Sequence, residues 1–141
     1  MSTEENKTLV RRFFEEFCNA RQLDLEEQLF AAEHTYHDPA SPWVKSGPEG
    51  MRQLIGTYQS AFPDAHWTVE SQIAEGNTVA TRWNARGTHR ADLRGLAPTG
   101  KSAHVTGIWM HRIEGGKIAE SWNQWDMLGL LQQLGVISMP R

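Results

Sequence analysis

The sequence predicts an α+β fold in which helices come first and an antiparallel sheet follows. Three observations carry this reading. Apolar residues recur at helical spacing in three stretches among the first 62 positions, and from His66 onward the period changes to two. Glycine-containing turns then join the two-period segments as hairpins, where a parallel sheet would need crossovers. With 141 residues, 39% of them hydrophobic, and no internal repeat, low-complexity tract or linker, the chain reads as one domain spanning 1–141.

Each element has a local cause. Ser2 and Glu5 form a capping-box pattern, and Leu9, Val10, Phe13, Phe14 and Phe17 then recur at helical spacing to about Cys18. Cys18 falls on that apolar stripe and reads as a buried structural thiol, since no neighbour in sequence would lower its pKa. As the single cysteine it makes no internal disulfide. A second helical stretch, Leu23 to Ala32, sets Leu25, Leu29 and Phe30 on one side. Between Glu33 and Gly47 the pattern breaks into a short strand and a loop through His37-Asp38-Pro39. Pro48 opens a third helix with Met51, Leu54, Ile55, Tyr58 and Phe62 on one stripe, and Pro63 ends it. Segments 66–74, 78–89, 103–113 and 117–126 read as strands. Gly76-Asn77 and Gly115-Gly116 supply the turns, and Leu93 to Gly100 makes a longer loop. A short helix from Met127 to Leu134 closes the chain at Gly135.

Charge and composition narrow the function classes. The net charge of −3 gives no overall attraction to nucleic acid. Arg82, Arg86, Arg90 and Arg94 sit among strand and turn residues, so they read as solvated or pocket-rim arginines and not as a basic helix face. No apolar run is long enough to span a membrane, and the acidic, polar start is not that of a signal peptide, so a cytoplasmic protein is expected. Six tryptophans suggest a roomy aromatic interior that takes a hydrophobic small molecule. His34 and His37 are three apart on a strand and so face opposite ways, which disfavours a metal pair. His89 and His104 read as ordinary polar strand residues. Phosphate-loop, dinucleotide, G-x-S-x-G and H-E-x-x-H motifs are missing, and no cofactor or metal is expected.

The final hairpin gathers the candidate chemistry. With Gly115-Gly116 at the turn centre, Ile113 pairs with Ile118, His111 with Glu120, Trp109 with Trp122, Gly107 with Gln124 and Val105 with Asp126. One sheet face then carries two tryptophans, a histidine, a glutamate, a glutamine and an aspartate, a set suited to a hydrophobic pocket with a few polar groups. A one-residue shift would bring Met110 and Arg112 opposite β-strand 117–126 in place of His111. His37-Asp38 either reaches a pocket mouth from its loop or simply holds the turn before Pro39, and Tyr58 joins from the third helix. A carboxylate beside tryptophans loses hydration and becomes a usable acid–base near neutral pH, and His111 would orient it or share the proton. Asp126 fits that role, and it fits equally a cap on the helix that begins at Met127.

Several ordered motifs resemble one family. They are His37-Asp38-Pro39, Phe62-Pro63-Asp64, Ala74 to Ala80, Arg82-Trp83, Gly87-Thr88-His89, Gly95 with Ala97 to Gly100, Gly116 to Trp122 followed by Asp126, and Gln133-Leu134-Gly135. Together they resemble the SnoaL-like polyketide cyclases of the NTF2-like superfamily across nearly the whole chain. The resemblance implies an NTF2-like, cystatin-like cone-shaped barrel, with N-terminal helices packed on a curved antiparallel sheet around one pocket. It also implies assembly through the outer sheet face as a homodimer or homotetramer. The implied activity is a cofactor-free intramolecular aldol condensation on a hydrophobic, carbonyl-bearing molecule. Asp126 matches the family's catalytic aspartate and His111 its assisting histidine, with Trp109, Trp122, Gln124, Glu120, His37 and Tyr58 as substrate contacts. Two alternatives use the same fold: epoxide hydrolysis by Asp126 with Arg82 and a second acid, or ligand binding without chemistry.

Overall fold

The computed structural model describes residues 1–138. Ser2 caps α1 (Thr3–Arg12): its hydroxyl accepts the Glu5 N–H while the Glu5 carboxylate accepts the Ser2 N–H, closing the expected capping box. Beyond Arg12 the helix widens into a π-helical stretch, Phe13–Asn19, that buries Phe13, Phe14, Phe17 and Cys18 completely. The second helical stretch is shorter than its spacing predicts. A 3₁₀ turn over Leu23–Leu25 leads into α2 (Glu26–Leu29), and Phe30 already begins β1 (Phe30–His37). Leu29 and Phe30 are buried side by side, and two adjacent buried residues suit a helix or a strand entry equally.

α3 (Pro48–Ala61) starts at Pro48, after Gly47 turns the chain at φ 86°, and stops ahead of Pro63. β2 (His66–Glu75), β3 (Thr78–Thr88), β4 (Ser102–Glu114) and β5 (Lys117–Trp125) follow, and α4 (Met127–Gln133) ends the described chain's regular structure. The sheet order is β1-β5-β4-β3-β2. Consecutive strands from β2 to β5 pair antiparallel, as expected, while β1 lies outside β5 and runs parallel to it. The α+β architecture therefore stands, with helices packed on a curved, unclosed sheet edged by β1 and β2.

The hairpin between β4 and β5 departs from the simple register. Ile113 pairs with Ile118 as expected, but Arg112 then pairs with Glu120, so Ala119 is an extra residue on β5. Ile118 and Ala119 are consecutive and both buried, which an unbroken strand does not allow when one face is wet. Beyond this bulge His111 pairs with Ser121, Met110 with Trp122, Trp109 with Asn123 and Gly107 with Trp125. The inner face of β5 is thus Ser121, Asn123 and Trp125. Glu120, Trp122 and Gln124 turn to the outer face.

Two apolar clusters hold the molecule together. The larger joins the rings of Phe13, Phe14, Phe17 and Phe30 to Met51, Ile55 and the sheet residues Trp83 and Trp109. Phe13 alone packs its ring edge or tilt against Phe14, Phe17, Phe30 and Trp109 within 5.8 Å. The smaller cluster, Ala61, Phe62, Leu93, Ala103, Leu130 and Leu134, ties the end of α3 and the 89–101 loop to α4. The space between the two clusters positions the site.

Candidate functional site

A pocket opens along that seam, with an empty volume of about 590 Å³ counting its mouth. Leu54, Ile55 and Trp67 line it from the larger cluster, and Phe62, Ala103 and Leu130 from the smaller. Its wall is aromatic: Tyr36, Tyr58, Trp67, Trp83, Trp109 and Trp125 all contribute. On the sheet side of the wall, Trp109 and Asn123 share one cross-strand row, and Trp83 and Trp125 flank Gly107 in the next.

Behind this wall sits a buried carboxylate, Asp38. Its Oδ2 accepts the Tyr36 hydroxyl at 2.6 Å and the Trp125 indole N–H at 3.0 Å, and its Oδ1 accepts the Ala40 backbone N–H at 2.8 Å. The Asn123 amide in turn donates to the Tyr36 hydroxyl oxygen at 3.1 Å. Tyr36, Asn123 and Trp125 all line the pocket, so Asp38 is connected to it through three side chains. Burial, reinforced by the Asp38 charge, pushes the Tyr36 hydroxyl far above the usual tyrosine range. Burial and then Asp38 also push Tyr58 up, to about 12. Both tyrosines therefore stay protonated, and Tyr36 donates to Asp38.

The expected site residues divide between the two faces. Trp109 and Tyr58 line the pocket. Glu120, Trp122 and Gln124 lie on the outer face because of the bulge at Ala119. His37 joins them there: its Nε2 lies 2.7 Å from Glu120 Oε2 and its ring stacks on Trp122 at 5.5 Å. That histidine bond, with help from Arg112, holds Glu120 below the usual carboxylate range. Arg82, offered for an epoxide-hydrolase arrangement, pairs with Ile108 and is exposed on the same outer face.

The structure does not bring Asp126 and His111 together. Asp126 is exposed, and its carboxylate accepts the Gly129 N–H at 2.8 Å as the N-cap of α4. Its backbone is anchored to Thr106, five residues along β4 from His111, a separation of about 17 Å at the usual strand rise. His111 is fully buried, stacked on Trp109 at 5.4 Å and edged by Phe13, with neither ring nitrogen bonded. Burial, then repulsion from His34, lowers its pKa to about 3, so it is neutral at physiological pH. His34 bonds Ser121 Oγ at 2.8 Å and is lowered to about 4, chiefly by burial.

Asp38, Tyr36 and Asn123 were not among the expected site residues. Strand alternation carried the signal for two of them. His34 is buried and His37 exposed, as their spacing predicts, and the same period turns Tyr36 and Asp38 inward. Asn123 depended on the bulge.

The remaining polar groups serve the scaffold. His89 Nδ1 accepts the Thr99 N–H at 3.1 Å and its ring stacks on Phe62, closing the 89–101 loop. His104 is exposed, with its backbone N–H and carbonyl both bonded to the Gln133 amide. Cys18 is fully buried, and burial pushes its thiol well up, as the structural reading requires. Among the described residues, no three His, Cys, Asp or Glu side chains converge as metal ligands, and no helix is long and apolar enough to cross a membrane.

Comparison with known proteins gives a consistent picture. The sequence model of the SnoaL-like polyketide cyclase family matches residues 8–134. Nogalonic acid methyl ester cyclase of Streptomyces nogalater is 29% identical over 122 residues, which cover 84% of this chain and 89% of the relative. Among solved structures, TsrD from Streptomyces laurentii superposes with a TM-score of 0.84 at 26% identity, covering 97% of this chain and 99% of its own. Wild-type IdmH from Streptomyces antibioticus superposes with a TM-score of 0.78 at 31% identity, covering 93% and 99%.

Proposed function

The chain belongs to the SnoaL-like polyketide cyclase family, and from that premise we propose that it closes a ring in a hydrophobic, carbonyl-bearing small molecule by intramolecular aldol chemistry. The observation that carries the reading is the buried Asp38 carboxylate, wired through Tyr36 to an aromatic pocket. In the proposed step a carbon next to a carbonyl gives its proton to the Tyr36 oxygen as the Tyr36 proton passes to Asp38 across 2.6 Å. The C–H electron pair becomes an enolate, which attacks a second carbonyl of the same molecule. The new alkoxide takes the proton back along the same path, so product and substrate have one molecular formula. The raised Tyr36 pKa suits this role, because the residue relays a proton without resting as an anion. Asp38 replaces Asp126 as the proposed base.

Nogalonic acid methyl ester, the compound named in the relative's description, is a suitable first substrate. Conversion to a product of unchanged mass by the wild type, with Asp38→Asn inactive and Asp126→Asn active, is the expected result. Asp38→Asn turning over at the wild-type rate would remove the reading. A second reading rests on a specific observation: the residues lining the pocket include no Asp, Glu or His. A module that binds such a molecule without converting it fits that lining, and tight binding of the ester with no product would favour it.

The outer face supports assembly as a homodimer or homotetramer. Ile73, Ala80, Met110 and Trp122 are aligned across β2, β3, β4 and β5 in one row, and Ile108 on the next row is 55% exposed. A contiguous apolar row on a sheet face is a natural interface. Light scattering of Met110→Glu is expected to show monomer where the wild type shows the assembly. A monomeric wild type would remove this part.

A further inference from the structure

Arg94 holds a positive φ of 45°, a left-handed backbone that is uncommon outside glycine and asks for an explanation. With Gly95, at φ 95°, it forms the centre of a two-residue hairpin turn. The Leu93 N–H donates to the Leu96 carbonyl at 2.9 Å and the Leu96 N–H to the Leu93 carbonyl at 2.8 Å. The Asp92 carboxylate also accepts the Gly95 N–H, at 2.9 Å. Such a turn favours asparagine, aspartate or glycine at its first central position, so the turn itself does not call for an arginine. The contact beyond it does. The Arg94 guanidinium carbon lies 3.9 Å from the centre of the Trp43 ring, a cation–π pair between two loops distant in sequence.

Each end of the pair is tied to the pocket. Leu93 is buried in the smaller apolar cluster with Phe62 and Leu130, which line the pocket. Trp43 is tied to Asp38 by two successive turns: the Ser41 N–H donates to the Asp38 carbonyl at 3.0 Å, and the Val44 N–H to the Ser41 carbonyl at 3.3 Å. Asp38 in turn meets Tyr36 and Trp125. Among the described residues no hydrogen bond or ion pair joins the two loops, so Arg94 is the polar link between them. Burial and then the Asp38 charge push Tyr58 up, and the Arg94 charge opposes them, which sets Arg94 within electrostatic reach of the pocket wall. We propose that Arg94 is a positioning residue for the reaction: its guanidinium, laid on Trp43, holds the Asp38 loop in place and so keeps Asp38 on Tyr36 and Trp125. This rests on the cyclase reading for its reaction, though not for its test. A cation–π pair at an exposed site is modest, so the link shifts the balance between held and released loop by about two- to fivefold.

The Trp125 indole N–H donates to Asp38 at 3.0 Å, so its hydrogen exchange reports whether Asp38 is in place and needs no turnover. The experiment follows that exchange by NMR in protein with ¹⁵N-labelled tryptophan, with Trp125→Phe and Trp109→Phe assigning the two signals. Arg94→Asn removes the guanidinium and keeps a residue that suits the turn, and Arg94→Lys keeps a cation. The expected result is Trp125 exchange faster by about two- to fivefold in Arg94→Asn and close to the wild type in Arg94→Lys, with Trp109 exchange unchanged in both. Trp43→Leu should quicken Trp125 by the same factor, and adding Arg94→Asn to it should do nothing more. Unchanged Trp125 exchange in Arg94→Asn, or equal quickening at Trp109, would overturn the proposal. So would a raised KM for the ester with Trp125 exchange unmoved, which would make Arg94 a substrate contact. Faster Trp125 exchange in a protein that does not cyclise the ester would leave the link standing and remove only the cyclase reading.

Discussion

The Tyr36 hydroxyl donates to Asp38 across 2.6 Å, with Tyr36 near the end of β1, the strand that runs parallel to its neighbour, and Asp38 just beyond it. Tyr36 faces the pocket and Asp38 lies behind it. The pair thus has an exposed end for a substrate and a buried end for charge.

Because proton transfer runs through both residues, their losses are expected to overlap. Asp38→Asn and Tyr36→Phe should each lower kcat by about 10²–10⁴-fold, and the double variant should lose little more than either single one. Fully additive losses would show that the two act independently. A rise in KM with kcat unchanged would assign them to binding alone.

Asp126→Ala should act on stability and spare turnover. Removing the N-cap bond to Gly129 costs about 1 kcal/mol, or a Tm lowered by about 3–5 °C in a domain of this size. Calorimetry beside the cyclisation assay checks both halves, since a catalytic role would abolish product on top of the same fall in Tm.

Much of this contrast was written in the sequence. The capping box, Pro48, Pro63 and the glycine turns act within a few residues, so they mark α1, α3 and the hairpins directly. Ala119 could not be recognised in the same way. Gly115-Gly116 and the Ile113–Ile118 pair fit an ordinary hairpin, and an apolar alanine after an apolar isoleucine gives no sign that one residue is extra. The parallel pairing of β1 with β5 joins segments more than 80 residues apart, which local pattern does not reach. Asp126 had the right chemistry for a base and for a cap, and the Gly129 contact shows the cap.

Acid should weaken the fold through His34 and His111. Both are held neutral, at about 4 and about 3, against 6.5 for a free imidazole. The unfolded chain therefore binds more protons below pH 6.5, and stability falls as pH drops from there toward the folded values. The slope is about 1.4 kcal/mol per pH unit for each imidazole. Urea midpoints between pH 7.5 and 4.5 should show it, and His111→Phe, which keeps the ring on Trp109, should remove about half. An unchanged slope in His111→Phe would mean other groups dominate.

Gly107→Ala should narrow the pocket more than it harms the fold. Its new methyl would lie 2.7 Å from Trp125 Cβ and from Trp83 Cζ2, so one of the rings has to move. Such overpacking costs about 1–3 kcal/mol. The expected outcome is a folded protein with weakened binding of nogalonic acid methyl ester, measured by titration. Unaltered affinity would show that the Trp83 position does not matter to the ligand.

The extra residue in β5 has a genetic consequence. Deleting Ala119 would remove one codon and turn the hairpin into an unbroken ladder, with Arg112 still opposite Glu120 and His111 still opposite Ser121. Glu120, Trp122 and Gln124 would keep the outer face, and Ser121, Asn123 and Trp125 the inner one. The same deletion anywhere later in β5 would exchange the two faces. This one position therefore absorbs a change in chain length without rewriting the cavity lining.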